Sequence, residues 1–362
     1  MLVFERICTI FEHLNILCKE LILTMSIALP MILGIGYAVP SKVITNNDLT
    51  ALFDTSDEWI FSRTGIKERR VFASDEEAFD LLKKAASQAI KNANINKEDI
   101  DIIIAASSMP VQLMPTTSCM TQKLLGITRN IPAFDISVAC SGFVYGLNLA
   151  NAYIRSGAYK NILLITMDNC SRYLDWNDRR TAILFGDGIG AAVISAGNES
   201  DILAIDIRAD GNVGDYIKMP VAKSNCPFVD QTPTPQVLDM KGQDVYKFVA
   251  NIIPPYITDD ILAKNNIEAK NVDYLVLHQA NQRIISAVQE RLGYSDDKVI
   301  SNIENLGNTS ASSILIALGE AIKNNKIKAP ATAIICGFGA GMCWGAGVIR
   351  IRENIFNKEN IF

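Results

Sequence analysis

Three residues have side chains and neighbours suited to covalent chemistry. Cys140 lies in Phe134-Asp-Ile-Ser-Val-Ala-Cys-Ser-Gly-Phe-Val-Tyr-Gly, where an apolar strand pattern hands over to a helical one. A thiol at such a junction faces unpaired backbone N–H groups and the positive end of a helix dipole. Both favour the thiolate, the nucleophilic form. Ala139, Ser141 and Gly142 are small, so a bulky acyl group has room to reach the sulfur. The competing reading is a small buried hydrophobe, the commoner fate of a cysteine.

His278, in Tyr274-Leu-Val-Leu-His-Gln-Ala-Asn-Gln-Arg-Ile-Ile, sits at the same kind of strand-to-helix edge. That edge is where α/β proteins place their ligands. Only two histidines exist, His13 and His278, so a satisfied core histidine is a weak competing account. Asn308, in Glu304-Asn-Leu-Gly-Asn-Thr-Ser-Ala-Ser-Ser-Ile, follows a turn-forming Gly307 and precedes a helix. Helix capping by Asn308 or Thr309 explains it about as well as chemistry does. Gly337-Phe-Gly-Ala-Gly-Met-Cys-Trp-Gly reads as a glycine-rich turn between two strands, either a tight hairpin or a source of N–H donors for an oxyanion. It is no dinucleotide fingerprint, because strand resumes at Trp344 instead of a helix. Taken together, Cys140, His278 and Asn308 form a Cys/His/Asn set that fits acyl-thioester chemistry.

The elements that must position this set alternate along the chain. Helix is expected over 80–94, 115–125, 142–155, 243–264, 280–292 and 309–323; strand over 101–106, 133–138, 161–166, 272–277, 331–336 and 344–351. Such alternation implies α/β architecture with mixed sheets covered by helices. A break near 196–200 and a Gly/Pro-rich stretch at 210–238 divide the series into two halves of similar order. The expected units are 31–198, carrying the cysteine, and 199–352, carrying the histidine and asparagine. Residues 353–362 are expected to be a loosely attached tail.

The 362 residues carry 34 Lys+Arg against 39 Asp+Glu, a net charge of −5, with no long basic run. That excludes a nucleic-acid binder, which needs a basic stripe to neutralise phosphates. With 49% apolar residues the chain buries a core that needs neither disulfides nor a structural metal. The eight cysteines show no C-x-x-C and no zinc spacing, so they read as reduced thiols in a cytoplasmic protein with no metal site. Residues 21–41 carry no charge and meet the ~20-residue length of a membrane span. Pro30, Gly34, Gly36 and Pro40 punctuate that window, which reads better as a strand beginning near Met31 and leaving into a turn. Glu5, Glu12 and Glu20 spoil a secretory signal. Residues 1–30 are therefore taken as an N-terminal extension, with Met25 as the start of the protein proper and no membrane span. An anchor over 21–41 is the alternative.

The chain resembles the β-ketoacyl-[acyl-carrier-protein] synthase III family of thiolase-like condensing enzymes. The resemblance runs from about Leu33 to Arg352 through six ordered stretches: Asp54-Thr-Ser-Asp-Glu-Trp-Ile-Phe-Ser-Arg-Thr-Gly-Ile-Lys-Glu-Arg-Arg, Val138-Ala-Cys-Ser-Gly-Phe, Leu184-Phe-Gly-Asp-Gly-Ile-Gly-Ala-Ala, His278-Gln-Ala-Asn-Gln-Arg-Ile-Ile, Gly307-Asn-Thr-Ser-Ala-Ser-Ser and Gly339-Ala-Gly-Met-Cys-Trp-Gly-Ala. It implies a five-layered αβαβα fold of two duplicated halves and a homodimer. It implies that Cys140 takes an acyl primer from acyl-coenzyme A, and that malonyl-acyl carrier protein then loses carbon dioxide and attacks the thioester. His278 and Asn308 would donate hydrogen bonds to the developing enolate, as in an oxyanion hole. The N–H groups of Cys140 and Ala340 would serve the acyl-transfer step. Chain-elongating synthases use two histidines, and His13 lies outside the matched region, so only the Cys-His-Asn type fits.

The resemblance further assigns Trp59, Arg63 and Arg179 to coenzyme A, with the indole facing adenine and arginines facing phosphates. It assigns Gln279, Ala280, Asn281, Gln282 and Arg283 to the carrier protein, with Lys247 as a helper. Coenzyme A enters as a substrate thioester, and no resident cofactor is implied. Met114 replaces a usual Phe at a spot that closes the neighbouring subunit's acyl pocket, which opens the way to a primer longer than acetyl. Arg180 replaces a usual Gly beside the nucleotide site, and Gln282 replaces an apolar residue. The expected function is initiation of fatty-acid synthesis from acetyl-CoA. The alternatives are a related enzyme of a specialised pathway and a catalytically silent partner subunit, against which the intact Cys140, His278 and Asn308 speak.

Overall fold

A computed structural model describes residues 28–222, 226, 228, 235–353, 355 and 356. The expected extension and the end of the tail fall mostly outside them. Two sheets form the frame. The first contains β1 (Leu29–Ala38), β4 (Ile102–Ala106), β5 (Ala133–Ile136), β6 (Asn161–Asp168) and β7 (Gly188–Gly197), in the order β1-β7-β6-β4-β5. The second contains β8 (Ile202–Ala209), β11 (Tyr274–Leu277), β12 (Ala331–Gly339) and β13 (Cys343–Ile351), in the order β11-β12-β13-β8. Two-stranded ribbons of β2 (Lys42–Thr45) with β3 (Glu68–Val71), and of β9 (Ile217–Lys218) with β10 (Asp239–Met240), lie outside this frame.

The two sheets repeat one pattern. β4 runs parallel to β6, β6 antiparallel to β7, and β7 antiparallel to β1. In the same way β11 runs parallel to β12, β12 antiparallel to β13, and β13 antiparallel to β8. The place of β5 in the second sheet is held by a single parallel bridge between Val299 and Leu275.

Strand side chains alternate between two cores, as the two-residue period requires. Along β4, Ile102 and Ile104 face one core while Ile103 and Ala105 face another. Along β12, Ala333 and Ile335 join the first of these, while Ile334, Cys336 and Phe338 join a third. Both faces of each central strand are dry, which is why these strands read as unbroken apolar runs. The shared middle core is filled by helices α4 (Gly142–Arg155) and α7 (Ser313–Lys323). Helix α2 (Asp75–Asn92) covers the outside of the first sheet, with α3 (Thr117–Leu125) beside it. Helices α5 (Gly242–Pro255) and α6 (Gln282–Leu292) cover the outside of the second. The layers are therefore helix, sheet, helix, sheet, helix. The remaining helix of note is α1 (Asp57–Thr64), which leads into the β2–β3 ribbon.

Two expectations need correction. The tail is anchored at its start: Ile355 and Phe356 are each 3% exposed. The Ile35 N–H donates to the Ile355 carbonyl at 2.9 Å, and Phe356 stacks on Tyr37 with centroids 5.8 Å apart. The repeated polar residues hid two apolar side chains that find a groove beside β1. The membrane-anchor alternative loses half its window, since Leu29–Ala38 pairs with β7 inside a sheet. No helix among the described residues is long and apolar enough to cross a membrane.

Candidate active site

Each half delivers its functional residue by the same device. After β5 the chain makes a tight turn over Ala139–Ser141 and enters α4; Ala139 holds a left-handed φ of 46°. After the Val299 bridge and Gly307 it makes an equivalent turn over Ser310–Ser312 and enters α7; Ser310 holds φ 50°. A non-glycine residue held there costs about 1–3 kcal/mol, a cost that packing around the turn must offset. Ser312 helps by donating to the carbonyls of Thr166 (2.8 Å) and Gly188 (2.9 Å).

The turns meet. Cys140 Sγ lies 3.2 Å from Ser310 Oγ, across 170 residues of chain. The hairpin after β12 closes over them: a Cβ on Gly339 would sit 2.7 Å from the Cys140 nitrogen and 3.0 Å from its Cβ. Glycine at 339 is thus the condition for Ala340, the next residue, to line the cavity beside the thiol. The glycine-rich stretch is a hairpin, Gly339 pairing with Cys343 around Ala340–Met342, and it also edges the site.

His278 follows β11 and is 1% exposed. Its ring packs edge-to-face on Phe338, centroids 5.2 Å apart, and burial pushes its pKa down to about 3. The imidazole is neutral at physiological pH. Nδ1 lies 2.7 Å from Ser313 Oγ, which itself accepts the Gln279 N–H at 3.4 Å. Ser313 is buried, and among the described residues Nδ1 is the acceptor within reach of its hydroxyl proton, so that proton goes to Nδ1 and the ring proton belongs on Nε2. Asn308 is 5% exposed, and its Oδ1 accepts the Ser310 N–H at 2.8 Å. The expected helix cap is not formed, since α7 starts after Ser312 with no side-chain cap; the Asn308 carbonyl end holds the preceding turn instead, and its Nδ2 donor is left for the cavity.

The expected preference of Cys140 for thiolate is opposed by burial, which pushes its thiol up to about 12; the nearby Asp168 carboxylate pushes the same way, while the Ser310 hydrogen bond and a backbone hydrogen bond pull it down. On that balance the resting group is a thiol.

The cavity above these residues has a volume of about 730 Å³. Its floor is Cys140, His278, Asn308 and Ser310; its walls include Ile183, Leu238, Val245 and Phe338. Arg63, Arg180, Lys247 and Arg283 line it as well, and no carboxylate does among the described residues. On a chain of net charge −5 this is a local cationic mouth. Trp59 lines it too, carrying the Arg63 guanidinium 4.3 Å and the Arg179 guanidinium 4.7 Å from its ring centre. Arg179 itself is tethered to the Asp54 carbonyl at 2.8 Å, and Arg180 is paired with Asp178 at 2.8 Å.

Of the expected carrier contacts, Ala280, Asn281 and Arg283 line the cavity, with Lys247 across from them. Arg283 reaches the Ser62 carbonyl (2.8 Å) and Asn281 the Arg63 carbonyl (3.2 Å), which ties α6 to α1. Gln282 is half-buried and packs at Gly65. Gln279 is a correction. It is 0% exposed, donates to the Leu277 carbonyl at 2.7 Å and accepts from Ser301 and the Asn302 N–H, so it braces the loop and has no surface to offer a partner. Met114 is 85% exposed and does not line this chain's cavity.

Three residues of the site were missed by sequence reasoning. Ser310 and Ser313 sat inside the Asn-Thr-Ser-Ala-Ser-Ser stretch, where one serine looks like another. Asp168 ends β6, and a charged residue closing an apolar run was the available signal.

Known proteins match the chain over most of its length. The family model described as 3-oxoacyl-[acyl-carrier-protein] synthase III matches residues 134–211, and the model of its C-terminal part matches 262–351. β-Ketoacyl-[acyl-carrier-protein] synthase III of Clostridioides difficile (strain 630) is 44% identical over 321 residues, covering 88% of this chain and 97% of the relative. The chain belongs to the β-ketoacyl-[acyl-carrier-protein] synthase III family. The expected fold and enzyme class are borne out with it: the chain is a thiolase-like acyltransferase. The crystal structure of the family's enzyme from Aquifex aeolicus VF5 superposes with a TM-score of 0.81 at 40% identity, covering 89% of this chain and all of that one. The priming β-ketosynthase of the R1128 polyketide pathway superposes at 0.82 with 27% identity, covering 90% and 96%.

Proposed function

We propose that the enzyme takes an acyl primer from acyl-coenzyme A, acetyl-CoA foremost, onto Cys140 and condenses it with malonyl-acyl carrier protein, releasing carbon dioxide and initiating fatty-acid synthesis. The observation that carries this reading is one cavity with a thiol, a neutral imidazole and an amide at its floor, apolar walls and a cationic mouth. An acyl-phosphopantetheine arm has that polarity from end to end.

Cys140 Sγ attacks the thioester carbonyl, with the N–H groups of Cys140 and Ala340 receiving the oxyanion. After coenzyme A leaves, malonyl-carrier protein enters by the same mouth. His278 Nε2–H and Asn308 Nδ2–H donate to its thioester oxygen as carbon dioxide departs, stabilising the enolate that attacks the acyl-cysteine. A neutral imidazole suits this role because it donates one fixed proton at all physiological pH values. Trp59 offers its face to adenine in place of one of its two guanidinium partners, and Arg63 and Arg179 face the phosphates. Lys247, Asn281 and Arg283 meet the acidic carrier protein, whose attraction such a rim strengthens. The working form is a cytoplasmic homodimer in which each chain comprises units 31–198 and 199–352, with the exposed Leu113–Met114 loop entering the neighbour's pocket. That exposure, and the absence of Met114 from its own cavity, support this placement.

A second reading, a specialised enzyme with a longer primer, draws support from the volume of the apolar cavity. One experiment separates them. Purified protein exposed to acyl-CoA thioesters of graded length, beside Cys140→Ala, is weighed intact. A mass gain absent from the variant, greatest for acetyl, is the expected result. A maximum at longer chains favours the second reading, and no gain with any thioester overturns both.

A further inference from the structure

We propose that Arg69 is a positioning residue for decarboxylation: its buried guanidinium clamps the segment from Ile183 to Gly186, and the bridge between Phe185 and Asn308 passes that hold to the Asn308 side chain. This rests on the reading of Asn308 as a hydrogen-bond donor to the malonyl enolate. It brings in a residue that does not itself line the cavity.

Arg69 lies on β3 and is 0% exposed. One end nitrogen of its fork donates to the Ile44 carbonyl at 3.1 Å; the other donates to Asn46 Oδ1 and to the Ile183 carbonyl, both at 2.8 Å. Its Nε–H meets no acceptor. None of the ion pairs of the described residues includes it. Burial lowers its pKa to about 10, which leaves the group charged at physiological pH. Sealing a cation away from water without a carboxylate partner is costly, and an apolar side chain would fill the same space without that cost. The fold alone therefore gives a weak reason for an arginine here, and the reason lies in what its hydrogen bonds hold.

Ile183 precedes the segment that fixes Asn308. The Leu184 carbonyl accepts the Asn308 N–H at 2.8 Å, and the Gly186 N–H donates to the Asn308 carbonyl at 3.0 Å, a parallel bridge between Phe185 and Asn308. The Arg69 stem packs under both sides of that bridge: a Cβ on Gly186 or on Gly307 would sit 3.2 Å from the Arg69 Cβ. The backbone of β3 grips the same two segments, with the Arg70 carbonyl accepting the Asp187 N–H at 2.7 Å and the Lys67 N–H donating to the Glu304 carbonyl at 2.8 Å. Because Asn308 Oδ1 is committed to the Ser310 N–H, the backbone at 308 decides where Nδ2 points. The loading machinery is held by other means. The turn that carries Cys140 is bonded to Ser108, and α1, which carries Trp59, has its own cap at Ser56 and its ties to α6. Arg69 thus acts through Asn308 on one of the two half-reactions.

The test compares the wild type with Arg69→Lys, which keeps the charge without the planar fork, and Arg69→Met, which keeps only the stem. Carbon dioxide release at saturating malonyl-carrier protein and loading of Cys140 by acetyl-CoA are measured on each. Hydrogen exchange of the Asn308 N–H is followed beside that of the β7 amides, which report global opening. The clamp requires decarboxylation to fall about 10²-fold, as for a donor displaced by ~1 Å, while loading stays within about threefold. It also requires the Asn308 N–H to exchange about tenfold faster with β7 unchanged. In an Asn308→Ala background, Arg69→Lys should cost nothing further, because both act through one side chain. Loading that falls as far as decarboxylation, losses that multiply in the double variant, or unchanged exchange at Asn308 each overturns the clamp. Should neither Arg69 variant fold, Asn46→Ala takes one acceptor from the same guanidinium and faces the exchange and double-variant criteria in their place. A wild type that releases no carbon dioxide, or an Asn308→Ala variant that keeps the full rate, overturns the reading beneath instead, and exchange at Asn308 then decides the clamp by itself.

Discussion

The two halves offer nearly the same backbone and use it for opposite purposes. In the first, Ala106 of β4 pairs with Thr166 of β6; in the second, Leu277 of β11 pairs with Cys336 of β12. Two residues beyond each partner the halves diverge. The first places Asp168 there, ringed by N–H donors; the second places Phe338, against which His278 packs. The first half thus sets a buried carboxyl group near Cys140. The second surrounds His278 with carbon, which keeps it neutral. A duplicated frame, differing in its fifth strand, becomes an asymmetric site through a difference in polarity at equivalent positions of its central strands.

On the proposed reading, His278→Ala lowers malonyl-carrier-protein decarboxylation about 10²–10³-fold, the effect of losing one oxyanion donor. A stopped assay that follows carbon dioxide release, beside loading of Cys140, should show the larger loss in decarboxylation. A loss confined to loading would reverse the division of labour between the halves.

The second prediction concerns acid. The pKa of His278 is near 6.5 in the unfolded chain and about 3 in the folded one, so below 6.5 the unfolded state binds the extra proton. Its contribution to stability is present in full above about pH 6.5 and is lost as pH falls toward 3. Urea unfolding at pH 7 and pH 4.5 should show an acid loss that is about 2–3 kcal/mol smaller in His278→Gln than in the wild type. An equal loss in both would mean that the imidazole is not held neutral.

The smallest effect expected is that of Ser313→Ala. The hydroxyl fixes the Nε2–H tautomer through one hydrogen bond, worth about 1 kcal/mol, so decarboxylation should fall about fivefold. Imidazole nitrogen shifts in a ¹⁵N spectrum should show the Nδ1–H form rising in the variant. An unchanged spectrum would remove Ser313 as the orienting group.

Sequence alone determined a good deal of this protein. The alternation of apolar runs and amphipathic stretches carried the layered fold, since both signals are local: a strand dry on both faces must be continuously apolar, and a covering helix must repeat every three to four residues. Helix Gly142–Arg155 and the edges of most strands were legible for that reason. Cys140, His278 and Asn308 were legible because each sits at an element boundary that a change of period marks. Tertiary structure decided what those boundaries mean chemically. Whether Cys140 rests as thiol or thiolate depends on what seals it, and the seal comes from Gly339 and Ser310, some 170 or more residues away. Gln279 looked like a surface residue in a functional stretch until the fold buried it between β11 and the Ile300–Asn302 loop. Ile355 and Phe356 looked like a loose end until β1 offered a groove. Burial and hydrogen-bond partners are properties of distant pairs, and only the folded chain brings those pairs within reach.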